Sequence, residues 1–231
     1  MKIITVVSSF AEDRIINTNS GHVEIREGGP ALWITKALKN LNADYRLITG
    51  KKKSKVEIKI TNGEEDGRII SISPIEVHNF NPADLYIVST ISEEFNLSYL
   101  ENMNGTIALD VQGYIREHKI NKSKLYLPKN IYEKISIFKT TDEELRFINH
   151  DIIEDQKRRI FIITKGARGF ELYAKEKHYT FESKKIDIVD TIGAGDYLFA
   201  TFCATYLGTV NLVGSAERAK LEVEKFLLNK E

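Results

Sequence analysis

The chain has 231 residues, 42% of them apolar, and its 33 Lys and Arg balance 33 Asp and Glu, so the formal charge is zero. That length carries one large α/β domain or two small ones with a sizeable core, and the balanced charge supplies no field to draw in nucleic acid or an anionic membrane. One cysteine, Cys203, excludes an internal disulfide, and no P-loop, His-Glu-x-x-His or paired-cysteine spacing occurs.

In chain order, the run Ile3–Val7 is too short for a signal peptide or membrane span and soon meets Glu12, Asp13 and Arg14, so it reads as the first buried strand of a cytoplasmic protein. Ile15–Arg26 reads as a hairpin turning at Asn19-Ser20-Gly21. Gly28-Gly29-Pro30-Ala31 then opens a helix near Ala31–Leu41 with Pro at an early helical position; the glycines read either as a turn or as an approachable backbone site. After a strand at Tyr45–Thr49, the cluster Lys51-Lys52-Lys53-Ser54-Lys55 reads as a solvated loop. Val56–Ser73 forms a second hairpin turning at Asn62-Gly63, its first strand strictly alternating.

Strands at Leu85–Ser89, Thr106–Asp110, Ile135–Phe138 and Ile160–Thr164 alternate with helices near Leu97–Met103 and from about Asp142. That rhythm predicts an α/β fold, a mostly parallel sheet flanked by helices, with ligands outside the carboxyl ends of its strands. His22, His78, His118, His150 and His178 are scattered and read as surface or packing residues. In a cytoplasmic protein the Asn-x-Ser/Thr triplets at Asn96, Asn104 and Asn121 carry no glycan.

The most informative stretch is Asp190-Thr191-Ile192-Gly193-Ala194-Gly195-Asp196. Before it, Lys185–Val189 alternates like a strand; after it, Leu198, Phe199, Phe202, Tyr206 and Leu207 recur at helical spacing up to Gly208 as the C-cap, with Cys203 as a buried space-filler. A final helix covers Ser215–Leu228. Small residues at a helix N-terminus let an anion approach unpaired backbone N–H groups, and the helix dipole favours negative charge there. Asp196 beside that anion site reads as a base placed to take a proton; the alternative is a helix N-cap above glycines that serve a tight turn.

This run resembles the signature of the ribokinase-like (PfkB) family of carbohydrate and nucleoside kinases, Asp-Thr-x-Gly-Ala-Gly-Asp followed by an apolar helix, and the resemblance covers nearly the whole chain. It implies a single ribokinase-like kinase domain over 1–231, with a small β-lid built from segments near 15–26 and 56–73 that covers the sugar site and can pair with a second copy. By the same resemblance Asp196 accepts the proton of the attacking hydroxyl, and Gly193, Ala194 and Gly195 hold the transferring phosphoryl group. Asp13, Gly28, Gly29, Asp110 and Gln112 fall on the acceptor side, Gln112 standing where relatives carry Asn, a substitution closer to inositol kinases; Arg116, four residues beyond Gln112, reads either as a phosphate contact from the same wall or as a surface arginine. Thr164, Lys165, Gly166, Gly169, Asp190 and Thr191 fall along the nucleotide, although Lys165 and Arg168 read equally well as exposed turn residues.

Thr141 and Glu144 match an Asn-x-x-Glu motif that orders magnesium through water; the same pair is also a capping box. Relatives carry an Asn a few positions after Gly-Gly, where this chain has Leu32, Trp33 and Ile34. The resemblance implies ATP and Mg²⁺ as cofactors, leaves room for a monovalent cation, and names a sugar or cyclitol as acceptor. Rival readings are a nucleoside kinase, with Trp33 stacking on a base, and a catalytically silent binder that regulates a partner.

Overall fold

Strands β1 (Ile4–Ser8) and β7 (Leu85–Ser89) are buried at every position, and β8 (Thr106–Asp110), β9 (Ile137–Thr141) and β10 (Ile160–Thr164) nearly so. Unbroken burial marks strands covered on both faces. In the computed structural model, which describes residues 2–61, 64–77, 79–115, 124–184 and 190–230, these strands join β4 (Tyr45–Ile48) in a parallel array ordered β4-β1-β7-β8-β9-β10. Strands β11 (Phe170–Ala174) and β12 (Lys177–Phe181) continue it antiparallel. The predicted turn at Asn62-Gly63, the strand Lys185–Val189, Arg116, His78, His118 and Asn121 lie outside the described residues.

Successive side chains of a strand face opposite ways, so the sheet separates two cores. Val7, Val88, Leu109, Phe138 and Phe161 face Phe95, Leu100, α2 (Lys129–Tyr132) and α3 (His150–Arg158). Ile4, Val6, Ile87, Ala108 and Ile162 face α1 (Pro30–Asn40), α4 (Ala194–Thr209) and α5 (Leu212–Leu228). Cys203 is fully buried in the second core, where desolvation pushes its thiol well above the ordinary range, so it fills space as the sequence implies.

A second sheet, ordered β3-β2-β5-β6, consists of β2 (Ala11–Asn17), β3 (Val23–Gly28), β5 (Ser54–Thr61) and β6 (Glu64–Ser71). The two hairpins are those read from the sequence, joined by parallel pairing of β2 with β5. Strand β2 begins at Ala11 rather than Ile15, because Ala11 pairs with both Gly28 and Ser54. At its base the Ser54 hydroxyl donates to the buried Glu94 carboxylate (3.3 Å) and accepts the Ser73 amide (3.1 Å), anchoring this sheet to the body.

Three local expectations change. The segment after Asn96 is a 3₁₀ turn over Leu97–Asn102 rather than an α-helix, and the helix expected from Asp142 is a short 3₁₀ turn followed by α3 from His150. The α4 helix passes through Gly208 and ends on Val210, which adopts the left-handed conformation usual for a glycine (φ 54°). Among the described residues no helix is long and apolar enough to cross a membrane.

Candidate active site

The signature loop enters α4 through Gly193, whose φ of 80° suits glycine. A Cβ built there would also fall 2.3 Å from Cγ of Trp33, so the indole of α1 rests directly on the loop. The Ala194 amide closes a turn onto the Thr191 carbonyl (3.1 Å), and the Tyr197 amide makes the first helical bond to Gly193 (2.9 Å). The N–H groups of this first turn have no partner within the helix and sit at its positive end, an arrangement that accepts an anion.

Asp196 is half-buried in that turn. Its Oδ1 accepts hydrogen bonds from Ser89 Oγ (3.2 Å) and Gln112 Nε2 (3.1 Å), and Gln112 Nε2 also reaches Ser89 Oγ (3.3 Å). Ser89 ends β7, and Gln112 follows β8, its amide capped by Asp110 (3.2 Å). The carboxyl ends of two adjacent strands therefore orient one carboxylate at a helix N-terminus.

Beneath it lies a buried ion pair. Lys139 Nζ donates to Asp110 Oδ2 at 2.6 Å, with the two side chains 3% and 0% exposed. The ammonium lies 3.2 Å from where a Cβ on Gly195 would stand, so it sits directly under the helix terminus. Burial alone would lower the Lys139 pKa, but Asp110, Asp196 and Glu144 together raise it, and the lysine stays charged. Burial lifts the Asp110 carboxyl to about 6; Lys139 opposes this, while Asp196 and Glu144 add to it.

Glu144 makes the capping box that its spacing allows: Oε2 accepts the Thr141 amide (3.0 Å) and the Thr140 hydroxyl (3.2 Å), and its own amide donates to Thr141 Oγ1 (3.2 Å). Three carboxylates around one ammonium leave negative charge that suits a hydrated divalent cation. Among the described residues no three Asp, Glu, His or Cys side chains converge as direct metal ligands.

Asp190, at the loop's entrance, is a junction. Its Oδ2 accepts from Arg26 of β3 (3.0 Å), and its Oδ1 accepts the Ile192 amide (3.0 Å) and lies 3.1 Å from Lys230 Nζ. Burial would raise its pKa, but the Ile192 amide, Lys230 and Arg26 outweigh that and hold it below the ordinary value.

Residues 34–221 match the pfkB family of carbohydrate kinases. The chain belongs to that family. This pfkB chain is 27% identical over 219 residues to a fructokinase of Rhizobium leguminosarum bv. trifolii, a match covering 82% of the chain and 66% of that relative. The chain thus spans just under two thirds of that curated relative's length. Its fold is similar to that of a nucleoside kinase of Methanocaldococcus jannaschii (TM-score 0.71, 19% identity, 96% of this chain and 90% of that one). It is also similar to a pyrophosphate-dependent ribokinase-family kinase complexed with a pyrophosphate analogue and myo-inositol (TM-score 0.68, 14% identity, 94% and 92%).

The remaining predicted positions of the pfkB chain fall in two places. Asp13 is 5% exposed and crosses Gly28 so closely that a Cβ there would overlap its carboxylate. Gly29 caps α1 with φ 83°, and a Cβ would meet the Ala11 amide nitrogen and the Ser9 carbonyl oxygen at 2.6 Å. This pair reaches the signature loop through Trp33 of the same helix. Thr164, at the end of β10, donates to the Thr140 carbonyl (3.3 Å). In the turn beyond it, Lys165 pairs with Glu171, Arg168 pairs with Asp142, and Gly166 and Gly169 both have positive φ. That turn lies two strands beyond β8, roughly 10 Å away at ordinary strand spacing.

Asp110, Gln112, Glu144, Gly195 and Asp196 are therefore gathered in one cluster, joined by Ser89 and Lys139, to which the sequence had assigned no role. Lys139 carried a signal: a lysine inside the run Ile137-Phe138-Lys139-Thr140 of a strand buried on both faces must be paired or functional. Ser89, Arg26 and Lys230 carried none, since each reaches the loop from more than 35 residues away.

Proposed function

We propose that this chain is an ATP-dependent kinase that transfers the terminal phosphoryl group to a hydroxyl of a sugar or cyclitol. The observation that carries the reading is Asp196, held by Ser89 and Gln112 at the N-terminus of α4 in a pfkB-family chain. The acceptor hydroxyl gives its proton to the Asp196 carboxylate as its oxygen bonds to phosphorus, and the bond from phosphorus to the departing ADP oxygen breaks. Phosphoryl transfer passes through a loose transition state, so orientation and charge stabilisation matter more than a strong base. The Gly193 and Gly195 amides, with the Lys139 ammonium beneath Gly195, are assigned to the charge that develops on the transferring oxygens, and Ala194, whose amide donates to Thr191, lies between them.

Asp13, Gly28, Gly29, Asp110 and Gln112 are assigned to the acceptor, together with Arg116 beyond the described residues. Thr164, Lys165, Gly166, Gly169, Asp190 and Thr191 are assigned to the nucleotide side. Glu144 would hold Mg²⁺ through water, and the bound metal would neutralise phosphate charge. The second sheet acts as a lid over the acceptor and pairs with a second copy of the chain, and the enzyme works in the cytoplasm.

The neighbour complexed with myo-inositol supports a cyclitol acceptor, as does Gln112, while the archaeal nucleoside kinase keeps nucleosides in the test. ADP release with Mg·ATP against sugars, myo-inositol and nucleosides, with Asp196→Asn in parallel, decides among them. Turnover with one acceptor that falls in the variant by about 10²- to 10⁴-fold at unchanged ATP affinity and folding is the expected result. ATP binding without turnover on any acceptor would make the chain a silent binder.

A further inference from the structure

One cation at the signature loop plays no part in the chemistry above. Lys230, beyond the end of α5, sends its side chain under the loop, where it is 11% exposed. Its Nζ stands 2.7 Å from the Ile192 carbonyl oxygen and 3.1 Å from Asp190 Oδ1. The centroid of the Trp33 ring lies 4.6 Å away and that of Phe226 5.2 Å. A carboxylate oxygen, a peptide carbonyl and two aromatic faces are ligands that a free potassium or ammonium ion accepts from a protein.

The two oxygen ligands sit two residues apart on the turn that ends at Gly193, so a cation between them fixes that turn. It also offsets the Asp190 charge, which would otherwise stand close to an anion-binding helix terminus. The site is crowded with positive charge: Arg26 shares Asp190, and Lys36 lies over the same two rings, 5.9 Å from Trp33 and 5.2 Å from Phe226. Burial, helped by Arg26 and Lys36, holds the Lys230 pKa below its ordinary value, and Asp190 opposes them.

The geometry points to Lys230 as a built-in monovalent cation, its ammonium bridging Asp190 and Ile192 to set the signature turn in place of an ion from solution. The monovalent cation for which the sequence left room does not fit at this turn, because the ammonium fills the position. A tethered cation is present at high effective concentration whatever the salt. Lys230 is a positioning residue: it touches the loop and acts on phosphoryl transfer through Gly193–Gly195. The turnover arm of the test rests on the kinase reading; the spectroscopic arm does not.

The test compares the full chain with Lys230→Ala and Lys230→Met in ammonium chloride and in tetramethylammonium chloride at equal ionic strength. Trp33 is the one tryptophan, so its emission reports on the site without substrate. The unsubstituted chain should give the same emission, melting temperature and turnover in both salts. Lys230→Ala in tetramethylammonium should shift the emission, melt lower and lose roughly 10- to 100-fold in turnover, and ammonium should restore all three with a saturable dependence. In Lys230→Met the unbranched stem fills the space without charge, so the same defects should persist in ammonium.

An Ala variant indifferent to ammonium in emission and melting overturns the assignment. So does a several-fold activation of the unsubstituted chain by ammonium, or a Met variant that matches it. If no acceptor is phosphorylated at all, the kinase reading fails and the emission and melting measurements still decide the role of Lys230.

Discussion

Asp110 shows how one buried residue can tie stability to pH. Its carboxyl, fully buried and raised to about 6 in the folded chain, titrates near 3.8 when unfolded, so the native state binds an extra proton between those values. The stability it contributes is therefore complete below pH 4 and lost as pH rises through the raised native value. Thermal unfolding of the unsubstituted chain and Asp110→Asn from pH 4 to 7 should show the former gaining on the variant as pH falls. A constant difference would mean that Asp110 keeps its charge throughout. The Asp190-to-Asp196 loop was legible because its spacing is local. Lys139 stands two residues before Thr141, yet its partner Asp110 lies 29 positions away, and only the parallel pairing of β8 with β9 makes them neighbours.

At the scale of elements, Ser89 and Gln112 hold Asp196 in the first turn of α4, and the loop that enters the helix is held by Trp33 of α1 against Gly193, Arg26 of β3 on Asp190, and Lys230 beyond α5. The Arg26–Asp190 pair links the second sheet directly to the signature loop. Both side chains are partly exposed, so Arg26→Ala should cost no more than about 1 kcal/mol of stability. Its larger effect should be a raised KM for the acceptor with a smaller fall in kcat, read from initial rates; unchanged KM would mean that this pair has no part in acceptor binding. Strands β7 and β10 were legible because Leu85–Val88 and Ile160–Ile163 are uninterrupted apolar runs. The β11–β12 hairpin was not, because its two-residue turn is Lys175-Glu176, both with positive φ (48° and 67°), where such turns usually announce themselves with Asn-Gly.

For the whole molecule, the second sheet leaves Val23, Ile25 and Ile70 between 44% and 64% exposed, and its outer strands β3 and β6 have no further neighbour among the described residues. An open edge with exposed apolar side chains favours pairing with another chain. Sedimentation equilibrium should give a dimer that Ile25→Glu with Ile70→Glu dissociates, and a monomer at micromolar concentration would remove the lid-to-lid pairing. Strand order has a consequence in time as well as in space. All four strands of the second sheet lie within the first 71 residues, whereas β1, set inside the main sheet, must wait for Leu85–Ser89 to supply its second neighbour. Chains grow at about 5–20 residues per second, so a nascent chain displays the sticky sheet before the body that anchors it can close. Two chains growing side by side would then meet through those edges first, and assembly would begin before either fold is complete.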